Sequence, residues 1–205
     1  MLIARHRGFT ILELMIGVAL LGLLMMLAFP TFTTMMQNAR LRAATESILG
    51  GLQGARAEAL KRNQTAEFLL MAEEPDDALF GTFSANTTGP HWAVRILDGA
   101  GLPIDFVEGR SGLEGSGQSN VAALFARISA ANLPGGGTIR FDSLGRTNVG
   151  VVNATFDVQP SDPNLCRANG GDLRCLRVVV TPGGRVRMCD PSVDPVASPN
   201  DTRAC

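Results

Sequence analysis

The chain opens on "MLIARHRGFTILELMIGVALLGLLMMLAFP", and residues 9–29 of that stretch carry a single charge, Glu13. As a helix, about 21 residues at 1.5 Å each span roughly 32 Å, the depth of a bilayer core. Arg5, His6 and Arg7 stand ahead of the run, which keeps the N-terminus cytoplasmic and sends the remainder outward. A cleaved secretory signal has a shorter apolar core and a small-residue cleavage site. Here apolar character runs on to Pro30 and no A-x-A follows, so the segment is expected to stay on the protein. Glu13 is the anomaly: an ionisable group in hydrocarbon costs several kcal/mol, roughly, and therefore needs a partner and a task.

Pro30 removes one backbone donor and crowds the carbonyl four residues earlier, so it predicts a bend near Met26 or a helix end. Leu41, Ala44, Ile48, Leu52, Ala55 and Ala59 recur at three- and four-residue steps beyond it, which favours a bend in a continuing helix. Those residues are expected to face a globular part, with Arg40, Glu46, Arg56 and Lys61 toward solvent. Gly50, Gly51 and Gly54 either weaken this helix or permit close packing.

After Asn63 the pattern changes. "TAEFLLMA", "HWAVRILD", "TIRFDSLG", "ATFDVQ" and "LRVVVT" are short apolar runs separated by turn-formers such as "NTTGP", "GSGQSN" and "PGGG", and they read as strands. A long helix followed by an antiparallel sheet predicts an α+β fold. Trp92, Phe141 and Leu144 are expected in its core. With 205 residues and 45% hydrophobic content, the chain suffices for one modest core and an anchor.

All four cysteines, Cys166, Cys175, Cys189 and Cys205, fall in the last fifth of the chain. An even number confined to one region reads as two disulfides formed outside the cytoplasm. Zinc is disfavoured because no pair has the short spacing of structural zinc sites. A net charge of -1 argues against bulk attraction to nucleic acid, so any such contact needs a local arginine cluster. His91 is the only histidine beyond His6, which disfavours histidine triads and multi-histidine metal sites. "GSGQSN" lacks the lysine of a phosphate loop. Glu73, Glu74, Asp76 and Asp77 read as a solvated loop around Pro75 rather than a calcium site. The sequence thus predicts a protein without catalytic residues, cofactor or metal.

The residues "RGFTILELMIGVALLGLLMMLAFP" resemble the class III signal of type IV pilins and type II secretion pseudopilins. The resemblance implies a leader at residues 1–8, cut by a prepilin peptidase between Gly8 and Phe9, with methylation of the new amine on Phe9. It implies a membrane and filament-core helix at 9–30, an amphipathic continuation at 31–63, and a β-rich pilin-like globular domain at 64–205. Glu13 matches the family's assembly glutamate and Pro30 its helix-kinking proline. "ARAEALKRNQ", "HWAVRILD" and "IRFDSLGR" resemble the FimT/GspH branch of minor pilins and pseudopilins, whereas residues 100–135 match nothing recognisable.

Arg185 and Arg187 in "TPGGRVRMC" stand two apart, which on a strand places both on one face beside a turn. With Gly184 they resemble the G-R-x-R motif by which FimT-type minor pilins contact DNA. Spaced guanidiniums suit phosphate oxygens, and Arg146, Arg177 and Arg203 could enlarge the patch. A solvated hairpin diluted by Asp190, Asp194 and Asp201 remains the alternative. The function implied is a minor pilin that primes or caps a type IV pilus and contacts double-stranded DNA without sequence preference during transformation; the alternative is a GspH-like pseudopilin of type II secretion. The partners implied are other pilins or pseudopilins, the peptidase and the inner membrane, with the globular domain in the periplasm. Four cysteines allow three connectivities. Cys166 with Cys175 across a short loop, and Cys189 with Cys205 across the Pro/Ser/Asp tail, is the favoured one.

Overall fold

The computed structural model describes residues 10–111, 127–133 and 136–205. Helix α1 runs Ile11–Arg62, so helical hydrogen bonding continues through position 30 instead of ending there. Two compact units divide the chain, one reaching Met36 and the other covering Gln37–Cys205.

In the first unit the described side chains from Thr10 to Met26 are all exposed. Among the described residues no helix is long and apolar enough to cross a membrane. The span read from the sequence also takes in positions 9 and 27–29, whose side chains lie outside that description.

In the second unit the strands predicted from the apolar runs form, as does a strand just after the Pro-Gly-Gly turn, together with two that the sequence hid. They are β1 (Thr65–Met71), β2 (His91–Leu97), β3 (Pro103–Arg110), β4 (Arg127–Ala131), β5 (Thr138–Phe141), β6 (Ala154–Gln159), β7 (Leu176–Val180) and β8 (Val186–Cys189). They make two four-stranded antiparallel sheets, ordered β3-β2-β1-β5 and β4-β6-β7-β8, where the sequence predicts one. Both β3 and β4 lie in the stretch 100–135 that resembles nothing.

The helix stripe behaves as its periodicity requires. Leu41, Ile48, Leu52, Ala55 and Ala59 are buried against Phe68, Trp92, Phe141, Phe156 and Val178 from both sheets, with Ala44 at the margin. Phe68 stacks on Trp92 at 5.6 Å and meets Phe156 edge-on at 5.7 Å, geometries that add to area burial. Gly51 settles the glycine question for itself, since a Cβ there would lie 2.8 Å from the Trp92 ring. Gly50 and Gly54 have no such neighbour. The Trp92 indole donates to Ser47 Oγ at 3.0 Å, which satisfies its one polar atom.

The other face of β1 holds a second cluster, Leu69, Met71 and Ala93, covered by Phe83, Ala85 and Phe106. Glu67 shares that face and is fully buried. It accepts from Arg95 Nε at 2.7 Å and Arg140 Nε at 2.8 Å, while Arg95 also donates to the Phe80 carbonyl. Sequence periodicity gave no sign of this carboxylate, because its partners sit 28 and 73 residues away.

Two placements depart from expectation. Leu144, predicted core, is 67% exposed, because β5 ends at Phe141 and Asp142 begins a turn. Arg56, predicted to face solvent, is half-buried with its Nε enclosed.

Candidate functional site

The first candidate region is the start of the helix. Thr10 Oγ accepts from the Glu13 amide at 3.2 Å, one half of the reciprocal cap that a T-x-x-E sequence can form. Glu13 thus stands in the first helical turn, where a carboxylate complements the helix dipole. The sequence reading missed this local role, although the pattern "TILE" carries it. Gly8 and Phe9 lie outside the described residues. Pro30 falls within α1.

The second region is where two turns meet. In Asp142–Arg146, Asp142 Oδ1 accepts from the amides of Leu144 (2.9 Å) and Arg146 (2.8 Å), and Gly145 takes φ +73. Burial alone would raise the Asp142 pKa, but these bonds and the Arg146 guanidinium outweigh it and hold the carboxyl below its ordinary value. In Thr181–Arg185, Gly184 donates to the Thr181 carbonyl at 2.9 Å with φ +79. Thr147 clamps the turns together, its amide donating to the Pro182 carbonyl at 3.1 Å and its hydroxyl reaching the Thr181 and Pro182 carbonyls. A Cβ on Gly184 would lie 1.8 Å from the Gly145 carbonyl oxygen. Gly184 is therefore required by packing, whatever its neighbours bind.

The arginines of this region do not form one free patch. Arg187, on β8, donates from Nη1 to the Ala204 carbonyl at 2.9 Å and from Nη2 to the Cys205 main-chain oxygen at 3.0 Å. Arg185 lies just ahead of β8 and is exposed, and no side-chain partner is found for it among the described residues. The three arginines expected to enlarge the patch are each paired with an aspartate: Arg146 with Asp142 at 2.9 Å, Arg177 with Asp157 at 2.5 Å and Arg203 with Asp201 at 2.7 Å. Their charges are locally compensated, so the expected basic surface reduces to Arg185.

The tail that engages Arg187 is itself anchored. Cys189 is joined to Cys205, with Cα atoms 5.1 Å apart, and Cys166 to Cys175 at 5.5 Å. The Asp190 amide donates to the Arg203 carbonyl at 2.7 Å, and Asp190 pairs with Ala204 in a parallel bridge. Burial would raise the Asp190 pKa, yet hydrogen bonds from Ser192 and from Arg174 at 2.7 Å bring it below the ordinary value. Asp201 is held at about 2 by its hydrogen bonds from Arg203.

Among the described residues no group of three His, Cys, Asp or Glu could hold a metal. Glu73, Glu74, Asp76 and Asp77 are exposed, and Asp76 caps a short 3-10 helix, Asp77–Thr82, by accepting from the Ala78 amide. His91 is buried at the start of β2, and burial pushes its pKa below the ordinary imidazole value against the opposing charge of Glu74.

The prokaryotic N-terminal methylation motif matches residues 3–29, and the family described as type II transport protein GspH matches residues 44–184, well over half of the chain. The chain belongs to the GspH family. Among solved structures, this GspH-family chain is similar to the type IV minor pilin FimU of Pseudomonas aeruginosa. In one crystal form the identity is 15% and the TM-score 0.48, covering 72% of this chain and 87% of FimU. In another they are 14% and 0.46, covering 72% and 90%. It is also similar to the minor pseudopilin EpsH of the Vibrio cholerae type 2 secretion system, at 12% identity and a TM-score of 0.46, covering 75% of this chain and 99% of EpsH. No curated protein sequence matches it. As a GspH-family member the chain is a minor pilin or pseudopilin subunit and not an enzyme. The GspH match ends at Gly184, so Arg185, Arg187 and the Cys189–Cys205 tail lie beyond the region it covers.

Proposed function

We propose that this chain is a minor subunit of a type IV filament, anchored in the inner membrane through residues 9–29 until it is drawn into the filament, which it primes or caps. The observation that carries this reading is the apolar helix from Ile11 to Met26, exposed on every side. A helix that is apolar all round is stable only in lipid or among other apolar helices, and a helical filament core supplies the second. The methylation motif over residues 3–29 supports cleavage by a prepilin peptidase between Gly8 and Phe9. That step creates an amine four residues from Glu13. A neighbouring subunit's Phe9 amine then meets the Glu13 carboxylate, and because an unpartnered buried charge is heavily penalised, the pair selects one axial register. Pro30 lacks the amide that would complete the ladder at its position, giving the helix a place to bend as subunits pack.

Replacing Glu13 with alanine tests this. The bond from the Glu13 amide to Thr10 Oγ survives the change, so the helix loses only its dipole complement, about 0.3–1 kcal/mol. Membrane insertion should be retained while incorporation into filaments, measured in sheared pilus fractions, falls sharply. Normal incorporation of the variant would refute the assembly role.

A second reading is DNA contact at the β7–β8 turn, and the specific observation favouring it is Arg185, exposed at the turn exit and without a side-chain partner among the described residues. Phosphate contacts of this kind carry affinity without base information, so binding would be weak, indifferent to sequence and lost in salt.

A further inference from the structure

We propose that the C-terminal segment competes with an anionic ligand for Arg187, so that the phosphate-binding capacity of the β7–β8 hairpin depends on whether residues 203–205 stay docked. The proposal rests on the reading that Arg185 meets DNA phosphate.

Both terminal nitrogens of Arg187 are engaged, by the main-chain oxygens of two successive tail residues. Those nitrogens form the fork that a guanidinium otherwise presents to two phosphate oxygens. The Ala204 carbonyl is a neutral acceptor whereas a phosphate oxygen carries charge, so at that nitrogen the phosphate makes the stronger bond in free competition. The tail is not in free competition. The Cys189–Cys205 disulfide begins two residues after Arg187, and the Asp190–Arg203 backbone bond and the Asp190–Ala204 bridge hold the same segment from the other side. Tethered this way, the two main-chain oxygens act at high effective concentration. Arg185, two residues earlier, has no such competitor among the described residues. The docked chain therefore offers one guanidinium and the undocked chain two, on a hairpin whose turn is fixed by the Gly184–Gly145 contact. The segment responsible lies beyond the part of the chain matched to the GspH family.

The test uses the full chain in detergent micelles and a short random-sequence DNA duplex, with dissociation constants measured across a salt series. In the native chain Arg185→Gln should weaken binding while Arg187→Gln leaves it within about twofold, because Arg187 is already occupied. Unlatching the tail with Cys189→Ser and Cys205→Ser should tighten binding by about fivefold and steepen the salt dependence by about one phosphate contact. Adding Arg187→Gln to the unlatched chain should cancel both gains. Trp92 emission reports whether the unlatched chain is folded. If it is not, Cys189→Ser with residues 203–205 deleted is the replacement, and phenylglyoxal reactivity of Arg187 in each folded chain reports exposure directly.

Four results would overturn the proposal. The first is unchanged affinity and Arg187 reactivity on unlatching. The second is a gain that survives Arg187→Gln, which would assign it to removal of the tail's carboxylates. The third is a native chain as sensitive to Arg187→Gln as to Arg185→Gln. In all three the DNA reading stands if Arg185→Gln still weakens binding. The fourth, no binding by any chain at low salt, removes both.

Discussion

Gly184→Ala isolates what the glycine of the G-R-x-R segment does. The backbone there has φ +79, and a non-glycine residue in that left-handed region costs about 1–2 kcal/mol. The new Cβ would also sit 1.8 Å from the Gly145 carbonyl oxygen. Backbone cannot rotate away as a side chain can, and Gly145 is fixed in turn by its own φ of +73 and the Thr147 clamp. Overpacking of this kind costs about 1–3 kcal/mol, so the sum is about 3 kcal/mol. For a folded unit of this size, each kcal/mol moves Tm by about 2–4 °C, and the expected drop is therefore about 10 °C. Thermal unfolding followed by the emission of Trp92, the single tryptophan, measures it within the globular unit. Gly183→Ala is the control: nothing lies within 4 Å of its Cβ position and its φ is not positive, so it should change stability by about 0.5 kcal/mol at most. Arg185→Gln should be similarly silent. A Gly184→Ala chain melting within 2 °C of native, roughly the effect of 1 kcal/mol, would refute the packing argument and return the glycine to a purely ligand-facing role.

Glu67→Ala leaves the half-buried Arg95 without its carboxylate and should cost about 3 kcal/mol, at the lower end for a broken buried pair because both arginines keep some exposure; adding Arg95→Ala should recover part of the loss in the same melting assay. The chain from a host with an active prepilin peptidase should begin at Phe9 with a methylated amine, checked by intact mass, and a chain that keeps Met1 in such a host would remove the processing step.

What could be read from the sequence divides by the distance over which each residue is explained. The helix stripe and strand β6 are local patterns, since burial on one face imposes a period that neighbouring residues display together, whereas β1, β2 and β7 are legible as short apolar runs between turn-formers and are buried on both faces over most of their length. Strand β3 has no such display. "PIDFVEGR" begins with proline, carries two carboxylates and is never fully buried along its length, as suits a strand at the edge of a sheet, so no alternation marks it. Leu144 misled because "IRFDSLGR" alternates as a strand would. The Asp142 side chain instead captures the amides of Leu144 and Arg146 and makes a turn, which turns the leucine outward. Glu67, a charge in the middle of a strand, reads as a solvent-facing position until Arg95 and Arg140 are brought to it by β2 and β5.

The same distance argument bears on the arginine motif. A short sequence match treats Gly184, Arg185 and Arg187 as three independent signs of one ligand, yet the fold supplies separate reasons for two of them. Gly184 is demanded by the Gly145 carbonyl, 39 residues earlier, and Arg187 is occupied by main-chain oxygens 17 and 18 residues later. Neither reason is visible within the motif, so selection for this turn and this tail would produce G-x-x-R whether or not DNA were ever bound. Of the three, Arg185 alone lacks a structural partner for its side chain among the described residues. Its contribution to DNA affinity, measured with the tail docked and with the tail released, is therefore the quantity that separates a ligand-binding hairpin from a turn that merely resembles one.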